Sequence, residues 1–369
     1  MEYIIKKVEF EISNFSVNST NIINANLLIH YGQTYSTYKI TNYLGKGTVG
    51  QVYLIESSDN SNSNSYVIKI SNSESIDDLI DEVKLTKHYF KKNNICHASY
   101  PIYYGFFKNL KGSGVIYPYF GFYNLEKIKS INYKIDFKNN INIIVQLIKQ
   151  LKNLTNVIHC DLKPSNIVIN IQSNQIYATI IDFGLIRSYT SKKNVISTNF
   201  ITSPESLLTL SKFYKCNISN ELINLSKHDY FGLYCIIINL FVSKTYWSLV
   251  LKYLTDIDIN DDLLFKQEAI NIFAYMWYRF VYDDKEKIVH KQMYNLILEI
   301  EVLYPSIINK KFLCFDDFFI KYVCPNINYS IFDKNQLDNF KDFSKSIIQF
   351  EYDSRPNFDD LLNHKFLNS

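Results

Sequence analysis

Between a helical stretch and a strand-like one, the chain packs four polar side chains of different chemistry into eight positions: His159-Cys-Asp-Leu-Lys-Pro-Ser-Asn166. Asp161 can accept a proton, Lys163 places a cation two residues on, and Asn166 offers a neutral oxygen. Sixteen positions after Asn166 comes Asp182-Phe-Gly184, closing a β-like run from Tyr177 to Ile181. Around this core the pattern is β-rich before it and mostly helical after it, which sets the fold class as α+β.

The β-rich part is legible strand by strand. Val8, Phe10 and Ile12 alternate with Glu9, Glu11 and Ser13, the period of a half-buried strand. Tyr38–Leu44, Gln51–Glu56 and Tyr66–Ile70 read as strands, and Ser57–Ser65 as a polar loop without an apolar anchor. Residues 74–92 place Ile76, Leu79, Ile80 and Val83 in helical register with acidic residues early. Short β-like runs follow at Ile102–Phe107 and Val115–Tyr119. After about residue 136 come a helix over Ile141–Leu154, strands at Ile167–Ile171 and Tyr177–Ile181, and mainly helix from Asp229 onward.

Two further signals sit among the early strands. Gly45-Lys-Gly47-Thr-Val-Gly50 lies between two strands, and such a loop lets backbone N–H groups approach phosphates closely. Because a strand follows the glycines and not a helix, a β-hairpin over a nucleotide fits better than a dinucleotide-binding turn. An ordinary hairpin turn has the same look. Lys69 stands in the middle of the apolar strand Tyr66–Ile70, where a cation needs an anion unless it faces solvent at a sheet edge. Glu82 is its candidate partner, bracketed by Ile80 and Val83 on the helix face turned to the sheet, with Asp78 and Asp81 competing.

Phosphoryl transfer needs a phosphate cover, a lysine, a base and oxygen ligands for a metal ion. All of these occur here, in order. The chain resembles the eukaryotic-type protein kinases of the Ser/Thr branch, over about Tyr38 to the carboxy terminus. Gly45, Gly47 and Gly50 resemble the family's glycine-rich loop, Lys69 its strand lysine, and His159–Asn166 its catalytic loop. Asp182-Phe-Gly184, Ser203-Pro-Glu205, Asp229 and Asp353-Ser-Arg355 stand where the family's later motifs are expected.

The resemblance implies a bilobal fold, with a small antiparallel sheet lobe over about 38–117 and a larger helical lobe over 118–369. It leaves 1–37 as an amino-terminal extension and about 250–345 as an insertion. It implies ATP and Mg²⁺ as cofactors, with nucleotide in a cleft between the lobes. Asp161 would be the base, Lys163 and Lys69 would engage the phosphoryl groups, Glu82 would pair with Lys69, and Asn166 and Asp182 would hold the metal. Leu44, Val52, Val67 and Val168 would surround the adenine, Tyr117 would be the gatekeeper, Tyr119 and Phe120 the hinge, and Asn124 a ribose contact. Glu205 and Arg355 would form a buried ion pair. Ser188, Tyr189, Thr190, Ser191 and Ser197 fall in the loop that would shape the substrate site.

Three departures carry meaning. Cys160 replaces the arginine that, in related kinases, binds a phosphate on the activation loop; a thiol cannot do that, so independence from loop phosphorylation is expected. A redox-sensitive thiol and a quiet buried cysteine are the two readings of Cys160 itself. The fifth residue after Asp229 is Tyr234 instead of glycine, with Gly232 two positions earlier, which should alter packing and not chemistry. Within the insertion, Phe273, Tyr275, Trp277, Tyr278 and Phe280 form either a docking face or core.

Composition narrows the partners. Among 369 residues, Arg occurs only at 187, 279 and 355 and Gly only ten times, against 30 Tyr and 26 Phe, a bias that points to an AT-rich genome and makes each Arg or Gly more informative. The net charge is +3 with no basic stripe, which argues against a nucleic-acid surface. No apolar run reaches the ~18–20 residues of a membrane span, and six cysteines without a C-x-x-C pair suit a reduced cytoplasmic chain. The expected activity is phosphorylation of protein serine or threonine. A small-molecule kinase usually lacks the Lys-Pro after the aspartate and the Ser/Ala-Pro-Glu element; a pseudokinase scaffold would be expected to have lost Lys69, Asp161 or Asp182.

Overall fold

The computed structural model describes residues 5–13, 22–47, 49–58, 65–71, 75–131, 133–173, 175–189, 203, 225–257, 259, 269–282, 285–288, 291–303, 305, 310–327 and 332–369. Two compact units divide it: Met1–Phe122 with Ile181–Gly184, and Tyr123–Ile180 with Leu185–Ser369.

The first unit is built on seven strands: β1 (Lys6–Ser13), β2 (Asn26–Tyr31), β3 (Thr34–Lys46), β4 (Gly50–Ser57), β5 (Ser65–Ser71), β6 (Tyr103–Phe107) and β7 (Ser113–Pro118). They close into a barrel in the order β1-β2-β3-β4-β5-β7-β6. The sheet expected as antiparallel therefore carries one parallel pairing, β6 against β1, which seals it. The period-two pattern of β1 is realised: Val8, Phe10 and Ile12 are buried. They share one core with Leu27, Ile29, Ile40, Tyr53, Ile55, Ile68 and Ile116. The residues before 38 thus supply two strands of the barrel wall. Asn109 pins β1 from outside, its Oδ1 accepting from Ile12 N (3.2 Å) and its Nδ2 donating to Ile12 O (2.5 Å).

Helix α1 (Ile76–Asn93) packs on β7 and β6. Asp77 and Asp78 in its first turn and Lys91 and Lys92 in its last complement the helix dipole, and Asn94 in the left-handed region (φ 52°) ends it. Its buried stripe is Leu79, Ile80, Glu82, Val83, Thr86 and Phe90, so one carboxylate lies among apolar residues.

The second unit opens with β8 (Tyr123–Asn124), α2 (Leu125–Ser130) and α3 (Phe137–Lys152), then β9 (Val157–Ile158), β10 (Ile167–Gln172), β11 (Gln175–Ile180) and β12 (Arg187–Ser188). β11, β10 and β8 form a small sheet, and β12 pairs with β9. The outer edge of β11 is matched by two glutamines one helical turn apart on α3. Gln146 accepts from Ala178 N and donates to Ile176 O; Gln150 accepts from Ile180 N and donates to Ala178 O.

Helix α4 (Asp229–Phe241) is buried on every side but one residue and forms the centre of this unit. Around it lie α5 (Tyr246–Asp256), α6 (Ala269–Val281), α7 (Lys291–Leu303), α8 (Phe315–Phe318) with a wider turn over Phe319–Val323, α9 (Lys334–Ile347) and α10 (Phe358–Leu362). Tyr275, Trp277, Tyr278 and Phe280 of α6 are core residues, with the Trp277 ring 4.8 Å from Phe231 of α4. The docking-face reading is therefore set aside for these four; the Phe273 side chain lies outside the described residues. Tyr234 is likewise buried, edge-on to Tyr246 at 5.1 Å. Among the described residues no helix is long and apolar enough to cross a membrane.

Candidate active site

In the first unit, the residues singled out in the sequence converge on one face of the sheet. The register pairs Val52 with Lys69, Leu54 with Val67, Lys69 with Val115 and Val67 with Tyr117. Alternation along each strand therefore puts Val52, Val67, Lys69 and Tyr117 on the face opposite the barrel core, where Tyr53, Ile68 and Ile116 point. Of the three carboxylates competing for Lys69, Glu82 takes it: Lys69 Nζ lies 2.8 Å from Oε2 and 3.1 Å from Oε1. Asp81 instead pairs with Lys84 on the exposed side of α1. The Tyr117 hydroxyl donates to Glu82 Oε1 (3.3 Å). Asp182 Oδ1 is 3.7 Å from Lys69 Nζ.

These charges shape each other. Burial alone would lower the Lys69 ammonium, but the carboxylates of Asp182 and Glu82 outweigh it and hold its pKa above the usual lysine value. Burial raises Glu82, and Lys69 opposes that by favouring the ionised form. Asp182 is held in the left-handed region (φ 65°), a conformation that costs a non-glycine residue about 1–3 kcal/mol. The next residue, Phe183, is buried edge-on against Phe90 (5.1 Å) and His97 (4.9 Å), and Thr86 Oγ1 donates to its carbonyl (3.4 Å). That anchoring offsets the strain.

The glycine segment is a hairpin, as expected, with Gly45 paired to Val52, Lys46 to Gln51, and Gly47 N donating to Gly50 O (2.8 Å). The three glycines differ in purpose. A Cβ on Gly50 would sit 2.1 Å from Ile70 O, so Gly50 serves the close approach of β4 to β5. A Cβ on Gly45 would meet nothing, and one on Gly47 only ordinary contact. Leu44 and Val52 flank this hairpin in β3 and β4; Tyr119 and Phe120 follow β7, both half-buried.

In the second unit, the catalytic-loop candidates converge on Asp161. Lys163 Nζ is 2.7 Å from Asp161 Oδ2, and Asn166 Nδ2 donates to Asp161 O (2.8 Å) and Oδ2 (3.2 Å). With its amide nitrogen committed, Asn166 keeps its side-chain carbonyl oxygen as an acceptor. The loop is fixed from below by α4. Asp229 accepts from His159 N (2.7 Å) and Cys160 N (3.0 Å), and Cys160 is held at φ 70°. Gly232 explains how α4 comes so near: a Cβ there would stand 2.2 Å from Leu162 O. The Cys160 thiol is 1% exposed, and burial pushes its pKa well up. It is the quiet buried cysteine of the two readings.

Asn124 and Val168 face each other across β8 and β10, and the Asn124 side-chain oxygen caps α2 through Lys127 N (2.8 Å). Arg355 is buried, donating to the carbonyls of Gln349, Lys227 and Phe350 and lying 4.7 Å over the Phe231 ring. Its expected partner Glu205 lies outside the described residues, as do Thr190, Ser191 and Ser197. Ser188 lies in β12, and the Tyr189 hydroxyl donates to Leu154 O (3.3 Å). Sequence reasoning missed three contributors: the Tyr117 hydroxyl, the Gln146–Gln150 pair and Lys129. Lys129 Nζ donates to Asn239 O, Val242 O and Lys244 O at the end of α4, although burial brings its pKa down to about 8.

No curated protein matches the sequence at significance. Among solved structures, a crystal structure described as "PF14_0431, kinase domain" is similar, with 19% identity, a TM-score of 0.55, and coverage of 89% of this chain and 95% of that one. That likeness shows the fold. A sequence model of the protein kinase domain matches residues 38–367, and the chain, with its α+β kinase fold, belongs to the protein kinase domain family.

Proposed function

We propose that this chain is a Ser/Thr protein kinase, transferring the γ-phosphoryl group of ATP to protein hydroxyls. The observation that carries this is the Asp161 carboxylate, held by Lys163 at 2.7 Å and Asn166 at 3.2 Å on a loop clamped by Asp229. Protein kinase domains generally use ATP and Mg²⁺, and the residues present fit both. A side chain at Gly45 would meet nothing and one at Gly47 only ordinary contact, which leaves room for phosphates to approach the hairpin, and Val52, Val67 and Val168 with Leu44, Tyr119 and Phe120 would line the adenine. Asn166 and Asp182 offer the hard oxygen ligands that Mg²⁺ takes. When bound, the metal neutralises charge on the phosphates.

The chain's own residues then divide the work. Lys69, kept charged by Asp182 and Glu82, engages the non-transferred phosphates. Asp161 orients the substrate hydroxyl and takes its proton as the oxygen attacks the γ-phosphorus and the bond to the β–γ bridging oxygen breaks, with ADP as the leaving group. Lys163 balances the charge that develops on the transferred group, and a lysine at this position, two residues after the base, resembles the Ser/Thr branch. The test is radiolabelled transfer from [γ-³²P]ATP with Mg²⁺ to generic proteins and a peptide library, followed by phosphoamino-acid analysis. Label on phosphoserine and phosphothreonine is the expected result. Label on tyrosine alone, or on small molecules alone, would reject the reading.

The buried Cys160 carries a second expectation. With no arginine before Asp161 to receive a loop phosphate, turnover should stay within about twofold after exhaustive phosphatase treatment. A loss beyond about tenfold would show that another cation reads a loop phosphate.

A further inference from the structure

Lys69 and Glu82 are recruited from different elements, a strand and a helix, and two long side chains need more than each other to stay in one geometry. The sheet supplies a third group. Lys69 pairs with Val115 across β5 and β7, and Tyr117 stands two residues further along β7 on the same face, a diagonal neighbour. Such neighbours lie roughly 7–8 Å apart, within reach of an aromatic side chain. The Tyr117 ring spans that gap, and its hydroxyl meets Glu82 Oε1, the oxygen that also takes the longer of the two Lys69 contacts. Oε2 keeps the shorter one, at 2.8 Å. Glu82 is therefore held at both oxygens by donors from two adjacent strands, and rotation of its carboxylate would break a bond to each.

We infer that Tyr117 is a positioning residue: its hydroxyl fixes the Glu82 carboxylate in the orientation that grips Lys69. This rests on the kinase reading for its catalytic consequence, and on geometry alone for its effect on α1. Burial, with the nearby carboxylates of Glu82 and Asp182, raises the phenol well above its ordinary value, so it remains a neutral donor across the working pH range. The role differs from filling space behind a nucleotide, since phenylalanine would fill the same space without donating.

Tyr117→Phe separates the two roles. The variant keeps the ring and loses one hydrogen bond to a charged acceptor. It should bind MgATP within about twofold of the wild type and turn over about three- to tenfold more slowly. The acid limb of its kcat profile should move to higher pH. A donor to the ionised carboxylate is gone, while Lys69 and Asp182, the other charged groups facing Glu82, are unchanged. Amide exchange in α1 around Glu82, followed without nucleotide, should accelerate. Unchanged kcat together with unchanged α1 exchange would overturn the inference, as would an ATP affinity that falls in step with kcat. If the wild type transfers no phosphate, the kinase reading fails by itself and the exchange measurement alone decides the role of Tyr117.

Discussion

Asp161→Asn will cut turnover by about 10²–10⁴-fold while MgATP still binds. Asparagine matches aspartate in shape, and its side-chain oxygen can still accept from Lys163 and Asn166, which now approach Oδ2 at 2.7 and 3.2 Å. The clamp from Asp229 acts on the backbone of His159 and Cys160 and does not involve the substituted group, so the loop keeps its course. What is lost is the capacity to take a proton. Positioned acid–base groups contribute about 10²–10⁴-fold, and the rate should fall by that order. Nucleotide affinity, which the reading assigns to the glycine hairpin, Lys69 and the valines, should change little. Residual turnover within a few-fold of wild type, measured by the same radiolabel transfer, would remove Asp161 from the role of base.

The parts of this site that are readable from sequence are those whose determinants are local. The His159–Asn166 loop, the Asp182-Phe-Gly184 turn and the glycine hairpin each carry their residues within a few positions. Glu82 is readable because a carboxylate inside an apolar helical stripe contradicts the stripe. What escaped depends on register between distant strands. Tyr117 reaches Glu82 only because β5 and β7 pair with Val67 opposite Tyr117, and periodicity cannot supply that offset. Gln146 and Gln150 look like solvated positions on an amphipathic helix until β11 is known to present an open edge beside them.

Gly232 illustrates the same limit in another way. Counted along the chain, it looks like a family glycine out of place. In the fold it answers the Leu162 carbonyl, 2.2 Å from where its Cβ would stand. The alternation in β1 declares a strand but not its neighbour. The neighbour was signalled by glycines in a chain that has only ten: Gly105 in β6 and Gly114 in β7 interrupt strand patterns, and glycine inside a strand often marks a close approach. The approaching group lies about a hundred residues earlier, so the signal had no visible cause.

That pairing leads to the largest stability effect expected of this chain. A fragment of residues 38–369, nearly the span of the family match, should fail to fold its first unit. It would lose Val8, Phe10, Ile12, Leu27 and Ile29, all buried in the barrel core. Each such side chain contributes about 1.5–3 kcal/mol, so the five together rival the ~5–15 kcal/mol that holds a typical domain together. The deletion also frees an edge of β6 and an edge of β3, which the closed barrel keeps covered, and exposed edges invite aggregation. Gly105, with Val8 O only 1.8 Å from its missing Cβ, and Gly114, with the Phe10 ring at 3.1 Å, would be left facing voids. Size-exclusion chromatography and thermal melts of the fragment and the full chain provide the comparison: aggregation or loss of the cooperative transition is expected. A monomeric fragment melting within a few degrees of the full chain would show that β1 and β2 decorate the sheet. A subtler variant reaches the same contact in the intact protein. Gly105→Ala drives a methyl group into the Val8 carbonyl, so β1 must separate from β6 there, and the melting temperature should fall while a surface alanine substitution elsewhere leaves it unmoved.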